Sequence, residues 1–131
     1  MSEILLAVDG DEERAEAQAN ALVDLDLDRE AVTVTILHVA TKESGGASVH
    51  QIGAVRDARD ILEDHGFEVV LNEGSGDVAE RIVRFADDMD ADLVCLAGRK
   101  RSPAGKTLFG SVTQDVFLET DRPILLCGTV N

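Results

Sequence analysis

The sequence predicts one α/β domain over residues 1–131, a doubly wound five-stranded parallel sheet in the order 3-2-1-4-5 with helices on both faces. Three observations lead there. Short apolar or β-branched runs alternate with stretches of helical periodicity along the whole chain. The runs are continuously apolar rather than alternating, as expected of strands covered on both sides. The fourth run is followed by a glycine-containing loop and then a helix start, an order that presents backbone N–H groups to an anion.

Residues 3–8 form the first run, ended by Asp9-Gly10 as a turn. Ala15, Ala19, Leu22 and Val23 recur at helical spacing within residues 11–25, with Asp11 as the N-cap. Residues 32–39 are β-branched and apolar, a second strand. A Gly/Ser/Lys-rich connection over 41–48 precedes a helix over residues 49–65, whose Ile52, Val55, Ala58 and Leu62 share a face and which Gly66 closes. Residues 67–71 form the third strand. Residues 77–90 form the third helix, carrying Val78, Ile82, Val83, Phe85 and Ala86, with Asp77 near its start. The fourth strand covers 92–97, a fourth helix runs from Val112 to about Asp121, and residues 122–127 form the fifth strand. Neither a repeat nor a linker divides the chain.

Composition narrows the function classes. Hydrophobic residues make up 44% of the chain, which argues against disorder, and no apolar run approaches the roughly 18 residues of a membrane span. The N-terminal residues lack the features of a signal peptide, so a cytoplasmic location is expected. The formal net charge is −14, from 26 acidic and 12 basic residues. Such a surface repels nucleic acid and anionic membranes. Asp (15) exceeds Glu (11) and Arg (9) exceeds Lys (3); self-repulsion on this scale calls for salt screening, so a halophilic, high-salt cytoplasm is expected. Cys95 and Cys127 sit in apolar strand runs and read as buried reduced thiols.

Against this acidic background, four of the 12 basic residues (Arg99, Lys100, Arg101 and Lys106) fall in residues 99–106, which contain no acid. The stretch from Gly98 through Ser102, Gly105 and Gly110 to Ser111 therefore reads as a phosphate-binding loop, with guanidinium groups able to hold phosphate bidentately. In the expected strand order, Asp9-Gly10, the end of the second strand and the loop after the fourth converge on one crevice. Ala104-Gly105-Lys106-Thr107 is not a Walker A motif, because position 100, where its first glycine belongs, is Lys. A phospho-receiver domain would need an Asp ending strand three, where this chain has Leu71-Asn72-Glu73. His38 reads as a satisfied core or rim histidine, and Asp87-Asp88 as surface charge.

Ile4-Leu5-Leu6-Ala7-Val8-Asp9-Gly10, Leu37-His38-Val39, Gly98 with Gly110-Ser111-Val112-Thr113, and Arg122-Pro123-Ile124-Leu125-Leu126 together resemble the universal stress proteins of the nucleotide-binding α/β type. The resemblance covers nearly the whole chain. ATP-binding members carry Gly-x2-Gly-x9-Gly-(Ser/Thr). The resemblance implies a stress or regulatory protein that binds an adenine nucleotide, ATP, with Mg²⁺ left open, and hydrolyses it slowly or not at all. It implies that Asp9 and the Val39 backbone contact the adenosine part. Gly98, Gly110 and Ser111, followed by Val112, approach ribose and phosphates, and Thr113 adds a polar contact. The chain departs from the motif at the second glycine, which is Arg101, and by separating that position from Gly110 by eight residues rather than nine. A dimeric interaction module that binds no nucleotide therefore remains an alternative. The resemblance also implies a homodimer through the uncharged edge strand at 123–130.

Overall fold

A computed structural model describes residues 2–40, 52–99 and 110–129. Nine elements follow one another: β1 (Ser2–Ala7), α1 (Glu12–Asp24), β2 (Val32–Ala40), α2 (Gly53–Asp64), β3 (Glu68–Ser75), α3 (Val78–Asp88), β4 (Leu93–Arg99), α4 (Ser111–Glu119) and β5 (Ile124–Thr129). The strands form one sheet in the order β3-β2-β1-β4-β5, every neighbouring pair parallel, as the sequence predicts.

Successive side chains of a strand point to opposite faces, so each apolar run feeds two cores. Ile4 and Leu6 of β1 join Val34, Ile36, Ala15, Ala19, Leu22, Val55 and Leu62 under α1 and α2. Leu5 joins Leu37, Val94, Leu96, Ile82, Ala86 and Val116 under α3 and α4. Full burial of a Leu or Ile side chain stabilises by about 1.5–3 kcal/mol, which is why Ile4-Leu5-Leu6 of β1 and Leu93-Val94-Cys95-Leu96 of β4 are uninterrupted apolar runs. Ala15 and Ala19 bring α1 close to the sheet, both fully buried.

Caps agree with the sequence. Asp11 and Asp77 accept from the third helical N–H of α1 and α3, those of Arg14 at 2.9 Å and Glu80 at 3.1 Å. Gly66, at φ +88°, closes α2 in a Schellman motif. Its N–H donates to the Glu63 carbonyl, and that of Phe67 to the Leu62 carbonyl, each at 3.0 Å.

Element ends are where the structure corrects the sequence. β3 continues past Leu71 to Ser75, because the nine-residue β2 offers a backbone ladder as far as Ala40↔Ser75. Backbone hydrogen bonds and an edge position let Asn72 and Glu73 stay in the strand despite their polarity. β4 likewise runs on through Gly98 and Arg99, paired with Gly128 and Thr129, so Gly98 is a strand residue rather than the first residue of a loop. β5 starts at Ile124, not Arg122. Arg122 instead braces the corner, donating to Asp87 and Asp90 at 3.1 Å and to the Ala91 carbonyl at 2.7 Å. α3 stops at Asp88, and Asp90 turns the chain at φ +52°, a left-handed conformation that Asp tolerates. α2 begins at Gly53, four residues later than the periodicity suggests, and α4 ends at Glu119.

One feature of the sheet prepares the site. β1 and β4 pair from Ile4↔Leu93 to Leu6↔Cys95 and then part. The amide of fully buried Gln18, on α1, fills the split: Nε2 donates to the Ala7 carbonyl at 2.8 Å and to the Cys95 carbonyl at 3.3 Å. The strand order reverses at this point, with β2 and β3 on one side and β4 and β5 on the other, and a crevice opens beyond the strand ends.

Candidate functional site

A cavity of about 530 Å³ lies in this crevice, within the range of pockets that hold a small-molecule ligand. β1 and its following turn contribute Ala7, Val8, Asp9 and Gly10. β2 contributes Leu37, His38 and Val39, and β4 Leu96, Ala97 and Gly98. Val78 and Ile82 of α3 add apolar wall, and Gly110, Ser111, Val112 and Thr113 close the side at the start of α4. The cavity thus gathers Asp9, Val39, Gly98, Gly110, Ser111, Val112 and Thr113 from four separate parts of the sequence. Arg101, Ser102, Gly105 and Lys106 lie outside the described residues, as does Lys100; Arg99 is described by its backbone at the end of β4.

The turn after β1 is built by two carboxylates with different work. Asp11 caps α1. Asp9 Oδ1 accepts from the Asp11 N–H at 2.9 Å, and its Oδ2 accepts from Arg14 Nη1 at 2.9 Å. Asp9 is therefore not the helix cap; its half-exposed carboxylate is held at the cavity mouth by the first turn of α1.

Arg14 is the lining residue that periodicity does not reveal. It occupies the first turn of α1, where the helix dipole favours acids, beside Glu12 and Glu13. A cation at that position, so soon after the strand-ending Asp9, is the signal that marks it. Gln18 is the other unforeseen residue, and its signal is a polar side chain on the Ala15/Ala19/Leu22 face.

The α4 side has a different character. Asp11 and Asp77 satisfy N–H groups of α1 and α3, the other helices bordering the cavity. The N-cap of α4 is Gly110, which makes no side-chain cap bond. The first N–H groups of a helix have no partner within it, and among the described residues no side chain caps those of Ser111, Val112 and Thr113. Ser111 is exposed at the first helical position rather than at the N-cap. Gly110 has an ordinary φ of −63°, and a Cβ built there meets nothing within 4 Å. Its hydrogen thus leaves room rather than permitting an unusual turn.

Two polar groups in the wall serve the frame. Thr113 is buried and its hydroxyl donates to the Ala97 carbonyl at 3.1 Å, pinning α4 to the end of β4. His38 is buried with Nδ1 3.0 Å from the Val8 carbonyl. A carbonyl only accepts, so Nδ1 carries the proton and the ring ties β2 to β1, as expected of a satisfied rim histidine. Asp9 is the sole carboxylate among the described lining residues, and among the described residues no cluster of three metal-ligating side chains occurs.

Together these features define a doubly wound α/β protein with a ligand-sized crevice at its topological switch point, floored by apolar side chains and edged by the glycine-capped start of α4. The universal stress protein family model matches residues 1–128, and the chain belongs to that family. It is 36% identical over 74 residues to a universal stress protein of Mycolicibacterium smegmatis, covering 56% of this chain and 57% of the relative. The chain spans from 31% to 57% of the length of the curated relatives it matches. Among solved structures, a universal stress protein from Archaeoglobus fulgidus superposes with a TM-score of 0.78 at 29% identity, covering 97% of this chain and 98% of that one. Fold similarity extends to an Archaeoglobus fulgidus universal stress protein in complex with dAMP, with a TM-score of 0.68 at 24% identity and coverage of 97% and 98%. It extends also to a universal stress protein in complex with cAMP, with a TM-score of 0.74 at 20% identity and coverage of 98% and 97%.

Proposed function

We propose that this chain binds an adenine nucleotide, ATP, in the crevice between β1 and β4. The observation that carries the reading is the start of α4, which no described side chain caps, lining the same cavity as Asp9. The N–H groups of Ser111, Val112 and Thr113 suit phosphate oxygens. The Asp9 carboxylate suits a ribose hydroxyl or the adenine amino group, and Val8, Val39, Val78 and Ile82 suit the face of a base. The stretch from Arg99 to Lys106, including Arg101, Ser102 and Gly105, supplies the remaining cations for the phosphates. Family membership and the dAMP and cAMP complexes of fold relatives support the nucleotide class.

Binding rather than turnover is the task proposed. Asp9 is engaged by Arg14 and the Asp11 N–H, so its carboxylate is not poised as a general base toward a terminal phosphate. Bound ATP would then act through the state it stabilises, in a cytoplasmic homodimer formed through β5. Calorimetry with ATP in high-KCl buffer tests the reading. Binding tighter than about 1 mM is expected, and weaker binding would overturn it.

A second reading is favoured by the loop itself, with Arg101 at a glycine position of the family motif and one residue fewer before Gly110. It makes the chain a dimeric interaction module without nucleotide. Absence of any ATP-dependent rise in melting temperature, with dimerisation intact, would select it.

A further inference from the structure

Cys95 on β4 and Cys127 on β5 lie on adjacent parallel strands with their Sγ atoms 3.3 Å apart, both buried on the face covered by α1. We propose that the two thiols form a reversible oxidation site, closing to an intramolecular disulfide when the protein meets a hydroperoxide. The proposal stands independently of nucleotide binding. Two buried, reduced cysteines in the same core are ordinary; here the sulfur atoms touch, while the register Cys95↔Leu125 and Ala97↔Cys127 offsets the two backbones by two residues, so closing the bond requires one strand to shift. Closing to the covalent S–S distance requires a movement of about 1.3 Å. β5 is the strand able to make it. Within one chain it pairs only with β4 among the described strands, so a shift of β5 strains a single intrachain ladder.

The two sulfurs are chemically unequal. The Cys95 thiol, fully buried, is pushed well above its ordinary value by its hydrogen bond with Cys127 and by burial. The same contact pulls Cys127 below its ordinary value. Cys127, on edge strand β5 and 6% exposed where Cys95 is fully buried, is the thiol a peroxide reaches first, so it is the attacking thiolate and Cys95 the resolving thiol. The Cys127 thiolate attacks a peroxide oxygen, the O–O bond breaks, and the departing hydroxide takes a proton to leave as water, giving a sulfenic acid at Cys127. Cys95 sulfur then attacks Cys127 sulfur, the S–O bond breaks, and the hydroxide leaves as a second water with the Cys95 proton. Two thiols are oxidised by two electrons and one hydrogen peroxide is reduced. The disulfide closes a ring of chain that contains α4 and the whole stretch from Gly98 to Thr113.

The test treats the intact folded protein with hydrogen peroxide, blocks remaining thiols under denaturing conditions, and maps peptides by mass. Mapping keeps oxidation of Met1 and Met89 out of the count. Loss of both alkylatable thiols, with the Cys95 and Cys127 peptides joined at a mass lower by two hydrogens and released by dithiothreitol, is expected. Cys95→Ala should leave a sulfenic acid at Cys127 that dimedone traps, and Cys127→Ala should leave Cys95 alkylatable. The oxidised wild type should melt at higher temperature than the reduced form. The proposal is overturned if both thiols remain alkylatable after peroxide, if only disulfides between chains form, or if the cysteines gain oxygen without joining.

Discussion

Arg14 and Asp9 meet at the mouth of the crevice, Nη1 2.9 Å from Oδ2, while the other oxygen of the same carboxylate receives the Asp11 N–H. Both bonds arise within one turn of chain, so the acceptor is oriented before any ligand arrives. A preoriented carboxylate loses little entropy on engaging a hydroxyl or amino donor. Asp9→Ala is therefore expected to weaken ATP binding by about 10–100-fold, the span of one charge-assisted hydrogen bond. Arg14→Ala, which leaves the carboxylate but loosens it, should weaken binding about 3–10-fold. With both side chains partly exposed, the pair contributes at most about 1 kcal/mol to folding, so Arg14→Ala should melt close to wild type. Calorimetry beside thermal melts checks both; wild-type affinity in Asp9→Ala would remove Asp9 from the site.

Gly110 presents a different opportunity, because its backbone suits any residue and its missing side chain opens onto the cavity. Gly110→Val should fold, at a cost of about 1 kcal/mol for the poorer N-cap residue, yet fill space at the start of α4, where Gly110 lines the cavity. Affinity for ATP should fall at least about tenfold, and more than affinity for adenosine, which lacks the phosphates. Ser111→Ala retains the N–H and removes one hydroxyl donor, for a loss of about 2–10-fold. Competition titrations with ATP and adenosine distinguish these outcomes, and equal losses for the two ligands would place the phosphates elsewhere.

Gln18 is responsible for the split on which the crevice depends. Its amide donates to two backbone carbonyls, those of Ala7 and Cys95, while its own Oε1 is buried without a partner among the described residues. Gln18→Leu removes the orphaned oxygen but strands both carbonyls, and should destabilise by about 1–3 kcal/mol. Gln18→Glu keeps the shape, loses the donor and buries a carboxylate, so it should be worse still. Urea unfolding orders the three proteins; a Leu variant as stable as wild type would show that the amide bonds contribute nothing.

The strands were legible because burial on both faces writes itself into Ile4-Leu5-Leu6 or Val94-Cys95-Leu96 as an uninterrupted apolar run. Their ends were not, because Asn72, Glu73 and Gly98 are held by backbone ladders whose length is set by the neighbouring strand, Ala40 and Gly128 being the partners that matter. Helix starts were legible where a side chain caps, as at Asp11 and Asp77, and shifted where none does, as at Ile52 and Gly110. At the crevice, glycines and the strand-ending Asp9 announced themselves by type. Arg14 and Gln18 did not, since their importance comes from the direction in which α1 crosses the strand ends. No local pattern encodes a crossing angle.

Leu126 tests the proposed two-fold assembly. It is a large apolar side chain exposed on edge strand β5, whereas Leu125 beside it packs partly against the core under α1 and α2. A charge at Leu125 would therefore disturb folding as well as association. Leu126→Asp is the cleaner variant: it should elute as a monomer in high-salt gel filtration while keeping a cooperative melt. Retention of the wild-type elution volume would rule out an interface through this strand.

The acidic surface makes the last prediction, and the ion pairs sharpen it. Arg59 and Arg122 each face two carboxylates, Asp60 with Glu63 and Asp87 with Asp90, so cations are shared rather than matched to the 26 acids. The excess must repel itself across the surface. Raising KCl from 0.1 M to 2 M shortens the screening length from about 10 Å to below about 3 Å, so the melting midpoint should rise. Asp24 and Asp26, exposed at and beyond the end of α1, also oppose the helix dipole there. Asp24→Asn with Asp26→Asn should therefore raise the midpoint by about 2–5 °C at low salt. At 2 M KCl the same pair should gain far less, because the repulsion it relieves is already screened. An equal gain at both salt concentrations would assign the effect to hydrogen bonding or helix propensity and would separate the acidic composition from salt adaptation.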